Sequence, residues 1–440
     1  MSITRSIRPL SRAFSVSRPF RVAPPISAIV TTPTFISRVD TSSPDSPSFE
    51  QIPSFRVLDG EGTILPAVKG QWREQVDDQE ALRIYDTMLL LPSLDSILYN
   101  SQRQGRISFY MTHYGEEAAV VGSAAAWNST DEVFAQYREA GVLLYRGFPL
   151  NLVMAQCFSN THDTATKGRQ MPVHYGSRDY HFHTISSPLG TQIPQASGAA
   201  YALKRSPQRR GDAVICYLGE GAASEGDFHA GLNIASTLSV PIVFFVRNNG
   251  FAISTPSRQQ YAGDGIASRA PGYGIEAVRV DGNDPIAVLV ACREARRRAV
   301  EYNRPVLVEA MSYRIGHHST SDDSFAYRSR AEVDSIKRLD NPLFRMRQFL
   351  ENRGWWNEEK ETETKKRHKS EILKEFAAAE KAKKPALGYM FTDVYDKMER
   401  PLREQRDELA RLIEKWGKKD PGWKSELEKF DKGGSDLTEK

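Results

Sequence analysis

An α/β fold with a central, mostly parallel sheet flanked by helices, followed by a helical C-terminal region, is predicted by three observations. Short β-rich runs alternate with helical stretches between residues 213 and 311. That alternation calls for crossover connections and a parallel sheet covered on both faces. Beyond about Arg338 the composition shifts to interleaved Lys and Glu with few apolar positions, the pattern of solvated helices docked on one side.

The first element is a basic head. Residues 1–39 hold Arg5, Arg8, Arg12, Arg18, Arg21 and Arg38, with no Lys and no acidic residue, among many Ser and Pro. Ile7, Leu10, Phe14 and Val16 lie between the arginines. Arg-rich, Ser-rich and acid-free is the composition of an organellar transit segment, and the arginine spacing favours a mitochondrial over a plastid address. A disordered basic tail is the competing reading. The head also explains the net charge of +4, because the remaining residues carry 53 basic against 55 acidic side chains. A global nucleic-acid footprint is thereby excluded.

Residues 40–60 are polar and rich in Pro, as expected of an extended arm. From Asp77 to about Gln104, Leu82, Tyr85, Leu89, Leu90 and Leu94 recur at near-helical spacing, with Pro92 predicted to break the helix. Ala118–Trp127 is the longest nearly apolar run and is about half of the ~20 residues a membrane span needs. Buried strands are predicted at Ala213–Leu218, Pro241–Arg247, Ala277–Val280 and Val306–Met311, with helices at Ala223–Leu238 and Pro285–Glu301. In the tail, Ile372, Leu373 and Phe376 form a narrow apolar stripe within Glu358–Lys384, and a last helix covers Leu402–Trp416. The predicted organisation is a disordered transit segment over 1–40, an arm over 41–76, an α/β unit over 77–340 and a helical region over 341–440. Three widely separated cysteines, Cys157, Cys216 and Cys292, exclude a disulfide scaffold and a structural zinc site.

In parallel sheets ligands bind beyond the carboxyl ends of the strands, which here are the segments after Leu218, Arg247 and Tyr313. Gly219-Glu220-Gly221 follows the first of these strands and Asn248-Asn249-Gly250 the second. A carboxylate and an amide carbonyl at neighbouring strand ends can share one hard cation such as Mg²⁺, which takes its remaining oxygens from phosphate and water. The glycines let backbone N–H groups approach a diphosphate. The same residues also fit two tight turns that use glycine only for positive φ. No GxGxxG follows the strand, and GxxxxGK[ST] is absent from the chain, which disfavours dinucleotide and P-loop chemistry. His181 and His183 lack an evident third ligand and read as loop histidines.

Taken together, these motifs carry a family resemblance. Gly-Glu-Gly-Ala-Ala-Ser-Glu-Gly-Asp at 219–227, followed by Arg-Asn-Asn-Gly-Phe-Ala-Ile-Ser-Thr at 247–255, resembles the thiamine diphosphate motif of 2-oxo acid dehydrogenases. Gln136-Tyr-Arg-Glu-Ala-Gly141 lies upstream, as in that family. Ile185–Gln192 and Tyr313–Asp323 narrow the resemblance to the alpha subunits of branched-chain 2-oxo acid dehydrogenases, the decarboxylating first component of their complex. Several motifs in one order, across roughly residues 50–410, carry it. A pyruvate-type alpha subunit and a non-catalytic scaffold subunit are the alternatives.

The resemblance implies a thiamine diphosphate-binding fold over 77–340 and a thiamine diphosphate-dependent oxidoreductase that passes a branched acyl group to lipoamide. Tyr137, Arg138, Gly221, Ala222 and Arg247 would meet the cofactor's diphosphate. Arg314 would lie near the phosphates, Ser187 would hydrogen-bond the cofactor and Leu189 would bend it. Glu220, Asn249 and the backbone of Phe251 would hold Mg²⁺, and Ser186, Pro188, Thr191 and Gln192 would hold K⁺. His318 would be the acid–base group, a role suited to a side chain titrating near neutral pH, with His317 positioning its loop. The resemblance implies a beta subunit in an α2β2 heterotetramer that supplies a missing carboxylate. It further implies a lipoyl-bearing acyltransferase core, a branched-chain 2-oxo acid substrate, a mitochondrial matrix location, no nucleic acid and no membrane span. Ser319 and Ser329 would be phosphorylation sites for a regulatory kinase and phosphatase. Glu220 stands where many relatives have Asp, and Phe251 where many have Tyr; both changes keep the ligand atom.

Overall fold

A computed structural model describes residues 29–30, 51–68 and 76–438. Apart from Ile29 and Val30, the expected transit segment lies outside the described residues. Nine strands are described: β1 Ile29–Val30, β2 Ser54–Phe55, β3 Glu132–Phe134, β4 Val214–Gly219, β5 Ile242–Asn248, β6 Phe251–Ala252, β7 Thr255–Pro256, β8 Glu276–Asp281 and β9 Val306–Met311. The main sheet runs in the order β1-β2-β8-β9-β5-β4-β3, and every neighbouring pair is parallel. β6 and β7 form a separate hairpin. Ile29–Val30 pairs with Ser54–Phe55 at the sheet edge.

The strands are buried because side chains alternate between two covered faces. Ile215, Tyr217, Val243, Phe245, Val278 and Val308 pack on one face with the helices Asp78–Arg103, Glu117–Ala124 and Pro285–Tyr302. Val214, Cys216, Leu218, Ile242, Phe244 and Val246 pack on the other with the helices Gln192–Arg205 and Gly226–Leu238. All three cysteines are buried free thiols.

Pro92 does not break its helix. The segment Asp78–Arg103 is continuous, with Pro92 inside it. Met88, Leu91 and Leu94 are fully buried on either side, and this packing outweighs the one backbone bond proline removes. Asp77 caps the helix by accepting the Glu80 N–H at 2.8 Å.

The C-terminal stripe also needs correction. In the helix Glu358–Lys381, Ile372 and Phe376 are buried but Leu373 is 45% exposed, because one residue along a helix turns the side chain by ~100°. The buried face runs through Glu361, Thr364, His368, Ile372, Phe376 and Ala379. Phe376 packs edge-on to Phe158 at 5.0 Å, and Tyr85 donates to Glu361 Oε2 at 2.9 Å. No described helix is long and apolar enough to cross a membrane.

Candidate active site

β4, β5 and β9 are adjacent, so their carboxyl ends deliver Glu220, Asn249 and Arg314 to one rim of the sheet. Glu220 N–H donates to the Arg247 carbonyl at 3.2 Å, which keys the first turn to the second strand. The two turns touch. A Cβ on Gly221 would stand 2.7 Å from the Ala252 Cβ, so only glycine allows this approach. Ala222 is buried behind Gly221.

Glu220 is 2% exposed, and its Oε1 is buried without a hydrogen-bond partner. Burial pushes its carboxyl up to about 7, and the nearby Glu116 charge adds to this. A cation would supply the missing partner, so the residues present fit a divalent ion. Beside it, Asn249 Nδ2 donates to Glu116 Oε1 at 3.1 Å, and Asn249 Oδ1 accepts the Phe251 N–H at 3.2 Å. Among the described residues no cluster of three His, Cys, Asp or Glu forms a metal site.

Three buried guanidinium groups line the rim. Arg138 donates to the Thr112 carbonyl, to the His318 carbonyl at 2.7 Å and to His318 Nδ1 at 3.2 Å. Arg247 pairs with Glu139 and, at 2.9 Å, with Glu116. Arg314 donates to His318 Nδ1 at 3.1 Å, to the Ile253 carbonyl at 2.7 Å and to the Tyr327 hydroxyl at 2.8 Å. Ile253 adopts φ +55 to present that carbonyl, a costly conformation for a β-branched residue. Tyr137 lies edge-on to the His318 ring at 5.8 Å.

His318 does not titrate near neutrality in this chain. Burial first, and then the Arg138 and Arg314 charges, push it down to about 3. Its Nδ1 accepts from two guanidinium groups, so the neutral ring carries its proton on Nε2. The His318 N–H is pinned by Asp322 Oδ2 at 2.8 Å. His317 meets Ser324 through its Nδ1, 3.0 Å from both the hydroxyl and the backbone N–H.

The remaining candidates lie on two loops. Ser186, Ser187, Pro188 and Leu189 are exposed. Ser187 Oγ lies 2.8 Å from His174 Nε2, while His174 Nδ1 donates to the Pro172 carbonyl at 3.0 Å. Ser187 therefore gives its proton to His174 and keeps lone pairs free. Leu189 is 40% exposed, an apolar tip on a polar rim. Thr191 Oγ1 is 3.3 Å from the Pro188 carbonyl, and buried Gln192 donates to the Tyr217 carbonyl at 3.0 Å. Ser319 is 9% exposed and its Oγ accepts the Ser321 N–H at 3.2 Å. Ser329 instead caps the helix Arg330–Leu339, accepting the Glu332 N–H at 3.1 Å.

Sequence reasoning missed Glu116 and His174, and met Asp322 only as part of the Tyr313–Asp323 motif. Glu139 stood inside the Gln136–Gly141 motif and was legible there, but its bond to Arg247 was not. His181 and His183 bind no third histidine or cysteine; both face Glu132, at 3.0 and 3.1 Å.

A sequence model described as "Dehydrogenase E1 component" matches residues 85–387. This chain belongs to the dehydrogenase E1 component family. Within the family it is 52% identical over 432 residues to "2-oxoisovalerate dehydrogenase subunit alpha, mitochondrial" of Macaca fascicularis, covering 97% of this chain and 94% of that protein. It is 57% identical over 370 residues to the protein of the same description from Mus musculus, covering 84% and 82%. It is 48% identical over 356 residues to "2-oxoisovalerate dehydrogenase subunit alpha 2, mitochondrial" of Arabidopsis thaliana, covering 81% and 74%. The E1 family match spans every strand end that builds the site.

Proposed function

We propose that this chain is the alpha subunit of a mitochondrial branched-chain 2-oxo acid dehydrogenase. It would act with a beta subunit to decarboxylate branched 2-oxo acids and transfer the acyl group to lipoamide. The observation that carries the reading is the buried, unpartnered Glu220 carboxylate beside Asn249, with three guanidinium groups on the same rim. A diphosphate-bearing cofactor that brings its own cation satisfies both halves of this arrangement. Identity above 50% to relatives named as 2-oxoisovalerate dehydrogenase alpha subunits supports the substrate class.

Thiamine diphosphate, when bound, supplies a stabilised carbanion and then an electron sink. The chain's own residues anchor the cofactor, shape it and donate hydrogen bonds. Glu220, Asn249 and the Phe251 carbonyl are the Mg²⁺ ligands of this proposal. Tyr137, Arg138, Arg247 and Arg314, with Gly221 and Ala222, hold the diphosphate, because planar guanidinium forks suit phosphate oxygens. Leu189 is the apolar wedge, and Ser187 offers the lone pairs left free by its bond to His174. His318 presents an Nε2–H donor to the substrate oxygen. Ser186, Pro188, Thr191 and Gln192 order the cofactor loop around K⁺.

One parallel α/β sheet among the described residues supports a reading in which a beta subunit would supply the missing carboxylate in an α2β2 assembly. The assembly docks on a lipoyl-bearing acyltransferase core. Phosphorylation at Ser319 and Ser329 by a kinase, reversed by a phosphatase, regulates it. Single-turnover decarboxylation by the chain assembled with its beta subunit tests the reading. It is expected to require Mg²⁺ and to favour 2-oxoisovalerate over pyruvate. A preference for pyruvate, or full-rate turnover by the alpha chain alone, overturns it.

A further inference from the structure

The segment Thr112–Glu117 lies outside every motif that carried the sequence reading, yet three of the site's polar groups converge on one of its side chains. Glu116 is 1% exposed and stands at the N-terminus of the helix Glu117–Ala124. Its Oε1 accepts from Arg247 Nη1 at 2.9 Å and from Asn249 Nδ2 at 3.1 Å. Its Oε2 faces Arg138 Nε at 3.5 Å. One carboxylate therefore touches two of the diphosphate-facing guanidinium groups and the amide ligand of the proposed Mg²⁺.

An amide has two ends of similar shape and opposite hydrogen-bonding sense. Turned the other way, Asn249 would set its carbonyl oxygen against the Glu116 carboxylate, two acceptors with no proton between them. It would also turn an NH₂ toward the Phe251 N–H, two donors facing each other. Both contacts would be lost in a buried site where unmade hydrogen bonds are expensive. Glu116 thus leaves Asn249 one orientation, with Oδ1 on the side of Phe251 and Nδ2 away from it. We infer that Glu116 is a positioning residue whose carboxylate fixes the amide of Asn249 so that an oxygen, and not an NH₂, is offered to the divalent cation. This rests on the reading of Glu220 and Asn249 as cation ligands given above.

Such a contact makes an unusual demand on a pair of substitutions. Glu116→Gln removes the obligate acceptor and frees the amide to flip. Asn249→Asp restores an oxygen at either end, but places two carboxylates in contact while Glu116 is present. Combining the two recreates one amide facing one carboxylate with the roles exchanged, and an oxygen then faces the cation whichever way the introduced carboxylate turns.

The test uses the assembled alpha–beta protein with saturating thiamine diphosphate. Mn²⁺ binding is followed by the loss of the free-ion electron paramagnetic resonance signal, and Mg²⁺ affinity by competition. Glu116→Gln is expected to weaken cation binding by about tenfold or more, the usual effect of removing a partner that orients a ligand, while Asn249→Asp, which keeps an oxygen toward the ion, gives the reference for the second arm of the cycle. The double variant is expected to recover most of that loss, a coupling that independent sites do not show. Wild-type affinity in Glu116→Gln, or a double variant as weak as the two single losses combined, overturns the inference. Should Glu116→Gln fail to assemble, the double variant decides alone: assembly with near wild-type affinity supports the inference, and the same failure overturns it. If the wild-type protein itself bound no divalent ion in the presence of the cofactor, the cation-site reading would fall instead.

Discussion

Gly221 and Ala252 hold the two cofactor-side turns in contact, with room for a hydrogen but not a methyl group between them. Gly221 itself has an ordinary helical φ of −64, so alanine is conformationally acceptable there and only the contact forbids it. Gly221→Ala is expected to force the turns apart. Overpacking of this kind costs about 1–3 kcal/mol. Because the separation opens between Glu220 and the hairpin that follows Asn249, Mg²⁺-dependent cofactor binding should weaken more than global stability. Calorimetric titration beside a thermal melt checks this.

The buried carboxyl of Glu117 predicts a pH dependence. Burial, with the nearby Asp95 and Glu116 charges, pushes it up to about 8 from an ordinary value of about 4.5, against the opposing pull of backbone N–H groups including Gly115. Between those values the folded chain keeps a proton that the unfolded chain releases. Unfolding free energy should therefore fall as pH rises through this window, by up to roughly 1.4 kcal/mol per pH unit, and level off above pH 8. Glu117→Gln still accepts the Gly115 N–H but never ionises. It should remove this part of the slope and be the more stable protein at pH 8. Denaturant midpoints from pH 5 to 9 for both proteins measure the effect.

Ser319 is nearly buried and one residue from the ring held by Arg138 and Arg314. A charge at this position must be desolvated or must open the loop. Ser319→Glu is expected to lower lipoyl acylation by about tenfold or more, which corresponds to ~1.4 kcal/mol. It should also expose residues 317–324 to limited proteolysis. Unchanged acylation with an intact loop would count against the regulatory role.

His318→Asn keeps a polar side chain of similar size but removes the ring donor. Loss of one positioned hydrogen-bond donor aimed at a reacting oxygen typically costs about 10²–10³ in rate. The expected outcome is a fall of that order in kcat with a much smaller change in thiamine diphosphate affinity, because Tyr137, Arg247 and Arg314 remain. Steady-state kinetics and a cofactor titration separate the two effects.

The central strands were legible to within one residue because they are covered on both faces: Val214–Leu218 and Ile242–Val246 read as unbroken apolar runs, and Val306–Ala310 is interrupted only by Glu309. β3 was not legible. It is three residues long, and its Glu132 is spent on His181, His183 and Arg209 rather than on packing. The helix Glu117–Ala124 is buried on all sides, which erases the amphipathic period that would have marked its face. In the site, the strand-end positions followed from the motifs and the sheet. The contacts of Glu116 and the neutral state of His318 arise from residues distant in sequence or from burial, and Asp322 bonds to His318 and Tyr327 within one irregular loop. Periodicity carries neither kind of information.

The guanidinium groups of the rim are not left bare. Arg138, Arg247 and Arg314 share their surroundings with Glu116, Glu139 and Glu220, so positive and negative charge nearly offset each other. A lone phosphate ion gains little on entering such a balanced pocket, since the attraction of each arginine is answered by a nearby acid. An electrically compensated guest, carrying anion and divalent metal as one unit, can match both kinds of group at once. On the proposed reading, discrimination against the many free phosphates of a metabolically active compartment would follow from how the rim distributes charge.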